Sequence, residues 1–376
     1  MSLPSLVFCL VATFGIVATP ALAADPAKRT LSDSQRNELT ALVTEFQRPA
    51  TRPEQRLRLI DQADKLGPIA VDALLVIVNN ELRGPLADYR RQFTQAAAES
   101  AGVPDAAAVQ EIATIRAKVL ALSKDEELTE KQIVEIGDPG LKRLQALLVP
   151  RPADVVRRHP ELRTSRQQLL ALGKQWEKCA TLIMLAEDPP AADPPAKDPP
   201  AGQACADAAA EALELELPSF ANYLDKEEEL AAALAMPLDA AARQTLSANA
   251  SLAAKIDAEE ARCVLDLNLT RVLLGLPPLR LDLALAAAAR GHSADMQLHE
   301  FFAHESPLPG KKMPWDRAKI HSTTANAENI AVGTIDGAVV NAMLWHSPSH
   351  HKNLVGDFAR IGVGRHGKYW TELFGR

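Results

Sequence analysis

The sequence predicts an α+β protein in which a long all-helical part precedes a C-terminal part of mixed helix and strand. Alanine and leucine dominate long stretches while aromatic residues make up only 4% of the chain, which favours helices packed through small and aliphatic side chains. Near the end, residues 359–364 and 368–374 read as two strands joined by a turn around Gly367. With 376 residues the chain is too long for one ordinary core, so two folded regions are expected. Hydrophobic residues at 47% and charged residues at 24% belong to a globular protein rather than a disordered one.

Charge excludes one class of partner. The net charge is −7, with +1 on residues 251–376 and −8 on the rest. Neither part carries the clustered Lys and Arg of a nucleic-acid footprint, so no nucleic acid is expected as a partner.

At the N-terminus, Leu6 to Ala18 form an apolar run too short for a comfortable membrane span, followed by the small-residue pattern Pro20-Ala21-Leu22-Ala23-Ala24. Residues 1–23 therefore read as a secretory signal peptide, with an uncleaved anchor as the alternative. The expected location is outside the cytoplasm, either secreted or in the periplasm or cell envelope. Cys9 would leave with the signal, and Cys179, Cys205 and Cys263 remain. Export permits a Cys179–Cys205 disulfide around a proline-rich loop, and buried reduced thiols are the equal alternative.

The helical region is expected over 25–187. Ser32 or Asp33 caps a helix carrying Leu39, Leu42, Val43 and Phe46 at helical spacing. Pro53 opens a second helix and Gly67 ends it. Pro68 begins a third with Ile69, Val71, Leu74, Leu75 and Val78. Gly137-Asp138-Pro139, followed by Leu141, Leu144, Leu147 and Leu148, repeats the signal and hints at HEAT-like hairpins, against an irregular bundle. Three copies of Asp-Pro-Pro-Ala starting at Asp188, Asp193 and Asp198 make residues 188–203 a semi-rigid linker or loop. A helical connector follows over 204–255, and 256–376 is the second folded region.

In that last region a helix is expected from Asp257 to Leu274, ended by Gly275. A second runs from Leu283 to His299 and puts His292, Asp295 and His299 on one face. Eight of the nine histidines fall in the last quarter of the chain. Histidine is the commonest metal ligand and titrates near neutral pH, so possible chemistry concentrates there.

The order of motifs resembles the CAP superfamily, in its bacterial SCP-like branch. The matching segments are Leu267-Asn268, Gly275-Leu276-Pro-Pro-Leu279, His292-Ser-Ala-Asp295-Met296, Phe302-Ala-His304-Glu-Ser-Pro307, Ala-Glu328-Asn329-Ile, Trp345, Ser347-Pro-Ser-His350-His-Lys-Asn353, Ile361-Gly-Val-Gly364 and Tyr369-Trp370. The resemblance implies an α-β-α sandwich with a surface cleft. It also implies that His304, Glu328 and His350 meet in that cleft, where His304 and His350 can hold a divalent metal, zinc foremost. Ser347, Asn353 and Asn329 are supporting positions, the first two expected to hold the loop through hydrogen bonds to backbone. The family's second acid after the tryptophan is replaced here by His346-Ser347-Pro348, and its many disulfides are missing.

Glu328 has three mutually exclusive roles open: third ligand, orienting neighbour, or general base on bound water. His346 or His351 could add a ligand. A hydrogen-bonded His-Glu-His network that only fixes loops is the alternative to metal binding. His292 and His299 are expected on the helix surface or cleft edge, His321 and His366 in solvent. Trp315, Trp345 and Trp370 are expected as core anchors. Cys263 is expected to be packed rather than reactive, and no serine-nucleophile motif is present. The expected function is binding of a small ligand, a metal ion or an envelope component without turnover. The rivals are a metal-dependent hydrolase with Glu328 as base, and a scaffold whose helical region binds a protein partner.

Overall fold

The computed structural model describes residues 31–102, 104–187 and 219–376, with the side chains of 184–187 set aside. The expected signal peptide, the Asp-Pro-Pro-Ala segment and Cys205 lie outside the described residues. No described helix is long and apolar enough to cross a membrane.

Two compact units emerge, and they do not follow the boundaries expected at 187 and 255. One contains residues 90–159 together with 228–376. The other contains, among the described residues, 31–89, 160–187 and 219–227.

The second of these is all helical. Helix α1 (Asp33–Phe46) starts at a capping box on Ser32 and Gln35. Helix α2 (Pro53–Leu66) begins with proline and ends at Gly67, whose φ of 104° is open to glycine alone at little cost. Helix α3 (Pro68–Ser100) starts in this unit and runs on into the other. The core is built from Phe46, Ile60, Leu74, Leu82 and Leu86, with Trp176 of α8 (Pro160–Glu187) edge-on to Phe220 at 5.9 Å. Cys179 is a free, buried thiol, pushed up to about 12 by burial.

The larger unit begins with α4 (Ala106–Leu122), α5 (Glu130–Gln132), a π-turn (Ile133–Gly137), α6 (Asp138–Leu148) and α7 (Pro152–Arg158). The expected break at Gly137-Asp138-Pro139 does not occur, so this copy is not a hairpin. Pro139 lacks the N–H that would return to Glu135, and the wider turn absorbs the missing bond, with Asp138 N–H donating to the Ile133 carbonyl. Helices α9 (Phe220–Leu234, which starts in the smaller unit) and α10 (Ala240–Ala253) lead to α11 (Ala258–Leu273), whose start is a capping box of Asp257 and Glu260.

After β1 (Arg280–Leu281) come α12 (Leu283–Leu298), α13 (Pro314–Ile320), β2 (Ala327–Val332), α14 (Gly337–His346), α15 (Pro348–Leu354), β3 (Arg360–His366) and β4 (Tyr369–Gly375). The sheet order is β1-β3-β4-β2, with β1 and β3 parallel and the other pairs antiparallel. This agrees with the expected helices at 257–274 and 283–299 and the two terminal strands.

Alternation along the strands assigns the two faces. Gly362 and Gly364 face α12 so closely that an added Cβ would sit 2.2 Å and 1.9 Å from its backbone nitrogens. Leu373 joins that side with Leu285, Ala288 and Ala289. Ile361, Val363, Trp370 and Phe374 face the other way, into a core shared with Val264 and Leu267 of α11, Leu344 of α14, and Val119, Ile133 and Leu144 of the preceding helices. The short strand β1 is fixed by two asparagine side chains. Asn249 of α10 bonds the Leu279 carbonyl (2.8 Å) and the Leu281 amide (2.7 Å), and Asn268 of α11 bonds both polar groups of Leu279 (3.0 and 2.6 Å).

Candidate ligand cleft

The edge strand β2 organises the site. Neighbouring residues on a strand point to opposite faces, so Glu328 turns toward the α12–α13 side and Asn329 toward the α14–α15 side. His304, on the loop after α12, approaches from the first side. His350, on α15, approaches from the second. Their ring centroids lie 6.3 Å apart, and both histidines retain solvent exposure.

On the first side, His304 Nδ1 donates to Glu328 Oε1 at 2.9 Å. Because a carboxylate accepts, the proton of this bond sits on Nδ1, which turns Nε2 away from Glu328. Arg317 of α13 donates to Glu328 Oε2 at 2.5 Å, and both of these side chains are 2% exposed. The same guanidinium bonds the carbonyls of His304, Lys311 and Lys312. Arg317 thus ties the loop carrying His304 to the strand carrying Glu328.

On the second side, His350 Nδ1 is hydrogen-bonded to Ser347 Oγ at 2.9 Å. Ser347 therefore orients the imidazole itself, not the backbone that the sequence led one to expect. Asn353 does bond backbone, reaching the Glu328 carbonyl at 3.3 Å, and also donates to Asn329 Oδ1 at 2.8 Å. Asn329 in turn donates to Glu372 Oε2 at 3.0 Å and to the His350 carbonyl at 3.4 Å. Burial, joined by the His304 ring, pushes the His350 imidazole below its ordinary value, which keeps it neutral near pH 7.

Beneath the cleft, Glu372 is fully buried and also accepts from Cys263 Sγ at 3.5 Å. Burial pushes its carboxyl up to about 7 and the Cys263 thiol well above its ordinary range. Cys263 is packed, as expected.

A divalent ion fits this arrangement only in part. Each imidazole has its Nδ1 engaged, and no hydrogen bond among the described residues takes either Nε2. Both oxygens of Glu328 are engaged, by His304 and Arg317, and no group of three or more His, Cys, Asp or Glu among the described residues is placed to hold a metal. The residues present suit a two-imidazole mount that a bound ligand completes, with Glu328 as the carboxylate that orients His304.

The remaining histidines separate clearly. His292, expected on the helix surface or cleft edge, is fully buried, with its ring 5.8 Å from Phe301 and Nε2 donating to the Ala303 carbonyl at 3.1 Å. His351 is buried against Trp345 and bonds the Trp345 carbonyl, and His346 bonds Asp138 Oδ2 at 2.9 Å, so neither turns to the cleft. His299, His321 and His366 are exposed. Trp345 and Trp370 are core residues, but Trp315 is 55% exposed, because the short α13 buries Pro314, Arg317 and Ala318 instead.

Sequence reasoning missed Arg317 and Glu372. Arg317 has no motif of its own, and Glu372 is the one charged residue of the strand Tyr369–Gly375. That pattern is a usable signal for a buried acid.

Residues 266–371 match the model of the cysteine-rich secretory protein family, CAP. Among curated proteins, the chain is 36% identical over 130 residues to the uncharacterized protein YkwD of Bacillus subtilis, covering 33% of this chain and 49% of that protein. It is 35% identical over 123 residues to the uncharacterized membrane protein YlbC of the same organism, covering 32% and 35%. The chain thus spans about half the length of the first relative and about a third of the second. Among solved structures, it is similar to an extracellular protein containing a SCP domain from Bacillus anthracis, at 29% identity and a TM-score of 0.30, covering 37% of this chain and 44% of that one. It is also similar to an outer surface protein from Borrelia burgdorferi, at 24% identity and a TM-score of 0.28, covering 32% and 96%. The motifs around the two-histidine cleft and the family match coincide: the C-terminal third of this chain carries a CAP domain.

Proposed function

We propose that the CAP domain is a binding module, working outside the cytoplasm, that takes a small ligand, an envelope component or a divalent ion between His304 and His350 and does not turn it over. One observation carries the reading: two accessible imidazoles face each other across the edge of β2, each with Nδ1 held and Nε2 open. An imidazole whose Nδ1 is held presents Nε2 to a ligand, as a hydrogen-bonding atom for a polar group or, when unprotonated, as a lone pair for zinc. A hydrolase would need Glu328 as a base on bound water. Arg317 and His304 already take its two oxygens, which favours orientation over proton abstraction. The location rests on the apolar run from Leu6 to Ala18 and the small residues after it.

Titrating the purified full chain with zinc tests the site. One ion is expected to bind, His304→Ala and His350→Ala are each expected to abolish binding, and Glu328→Gln is expected to weaken it about tenfold or more through loss of the orienting bond. Zinc affinity unchanged in both histidine variants would overturn the two-imidazole mount. Metal-dependent hydrolysis lost in Glu328→Gln with the metal retained would overturn the absence of turnover.

A further inference from the structure

A separate cavity, of about 260 Å³, lies between α6, α11 and α14. It is lined by Asp138 and Leu141 of α6, Asp266, Leu267 and Thr270 of α11, Asn341, Ala342, Trp345 and His346 of α14, and Leu354 of α15. All of these belong to the larger compact unit. Its walls combine apolar surface with hydrogen-bond acceptors, as small-molecule sites do.

Asn341 is 5% exposed. Its Nδ2 donates to the Cys263 carbonyl at 2.6 Å, but its Oδ1 is buried with no hydrogen-bond partner. A buried acceptor left unpaired costs about 1–3 kcal/mol, so a donor at that point is strongly favoured. Asp266 stands on the same wall. Burial pushes its carboxyl up to about 6, and the nearby Arg262 charge and the Asn341 side chain offset only part of that penalty. Asp138 adds a second carboxylate, held in place by Trp345 Nε1 (2.9 Å) and His346 Nε2 (2.9 Å). The polar groups of the cavity are two carboxylates, the orphaned amide oxygen, the Thr270 hydroxyl and the His346 ring that Asp138 engages, so acceptors outnumber donors.

We infer that this cavity is a second binding site, for a small organic cation of the alkylammonium type. Its N–H donors meet Asp266 and the Asn341 Oδ1, and its hydrocarbon part lies against Leu141, Leu267 and Trp345. A neutral alcohol of the same length would satisfy one acceptor at most and leave the carboxylate uncompensated. A bound cation relieves the burial penalty on Asp266. The site shares no residue with the His304–His350 cleft and does not depend on that reading.

Isothermal titration of the full chain at pH 7.5 with n-butylammonium and with n-butanol tests the assignment. Binding of n-butylammonium is expected, with n-butanol at least tenfold weaker. Asp266→Asn, which preserves shape, is expected to weaken n-butylammonium at least tenfold while leaving the melting temperature within a few degrees. Glu135→Gln, which removes an exposed acid from the neighbouring turn, is expected to change nothing. No detectable n-butylammonium binding, equal binding of the alcohol, or unchanged affinity in Asp266→Asn would each overturn the site.

Discussion

Arg317 and Glu372 show how much a single buried charge decides. Arg317 is buried with Glu328 and also holds three loop carbonyls. Replacing it by methionine leaves the buried Glu328 carboxylate without its guanidinium partner. Arg317→Met is therefore expected to lower stability by about 3–5 kcal/mol. Adding Glu328→Gln to it should return part of that loss in urea denaturation, and a double variant weaker than the single one would contradict the pairing. Glu372 has a different signature. Its ordinary value of 4.5 is raised to about 7 by burial, so the folded protein keeps a proton there that the unfolded chain has released. The stability this group contributes is complete below about pH 4.5 and is lost as pH rises to about 7. Glu372→Gln retains an acceptor for Asn329 and removes the charge. Its urea midpoint should exceed that of the parent at pH 8, and the gap should narrow at pH 5. A gap that grew toward acid pH would refute the buried neutral acid. The motif segments made His304, Glu328 and His350 readable from sequence. Arg317 and Glu372 were not, because their partners are 11 and 43 residues away and no local pattern connects them.

At the level of elements, β3 and α12 are the tightest contact in the domain, and glycine is what allows it. A Cβ on Gly364 would lie 1.9 Å from the Arg290 backbone nitrogen, which cannot move without shifting the helix. Gly364→Ala should cost about 3 kcal/mol or more, measured by thermal or urea unfolding. Gly291, on α12 itself, has nothing within 4 Å and no positive φ. Gly291→Ala should instead stabilise by about 0.5–1 kcal/mol through helix propensity. Opposite signs for two Gly→Ala changes 73 positions apart in sequence, yet both at the α12–β3 layer, would not arise from glycine content alone. Helix boundaries and the terminal strands were legible here, since capping residues, glycine stops and alternation are local signals. The π-turn at Ile133–Gly137 was misread as a break because glycine and proline punctuate hairpins and helix distortions alike. What distinguishes them is tertiary: Trp345 packs where a Gly137 side chain would begin, with a ring carbon 3.2 Å from the position of its Cβ.

For the molecule as a whole, the folding unit is larger than the family match. The match covers residues 266–371, but the core on the α11 side of the sheet also contains Ile112, Val119, Leu122, Leu128, Ile133 and Leu144 from the preceding helices. Polar contacts follow the same path. Asp138 accepts from Trp345 and His346, and Arg116 donates to the Leu273 carbonyl at 2.8 Å, capping α11. Asn249 of α10 completes the free edge of β1. None of these helical residues belongs to the family's motif segments, so the boundary expected at 256 followed those segments and passed over the packing partners. A fragment of residues 256–376 would expose Leu267, Leu344 and Trp345 and leave β1 without Asn249. It should unfold at lower urea than the full chain and bind a hydrophobic dye such as ANS, while residues 90–376 should restore the midpoint of this domain. Asp138→Ala in the full chain gives the same comparison with one residue: losing two bonds across the interface should destabilise by about 1–3 kcal/mol. If 256–376 alone matched the full chain in midpoint and Asp138→Ala changed nothing, the helices before it would be passengers rather than part of the core.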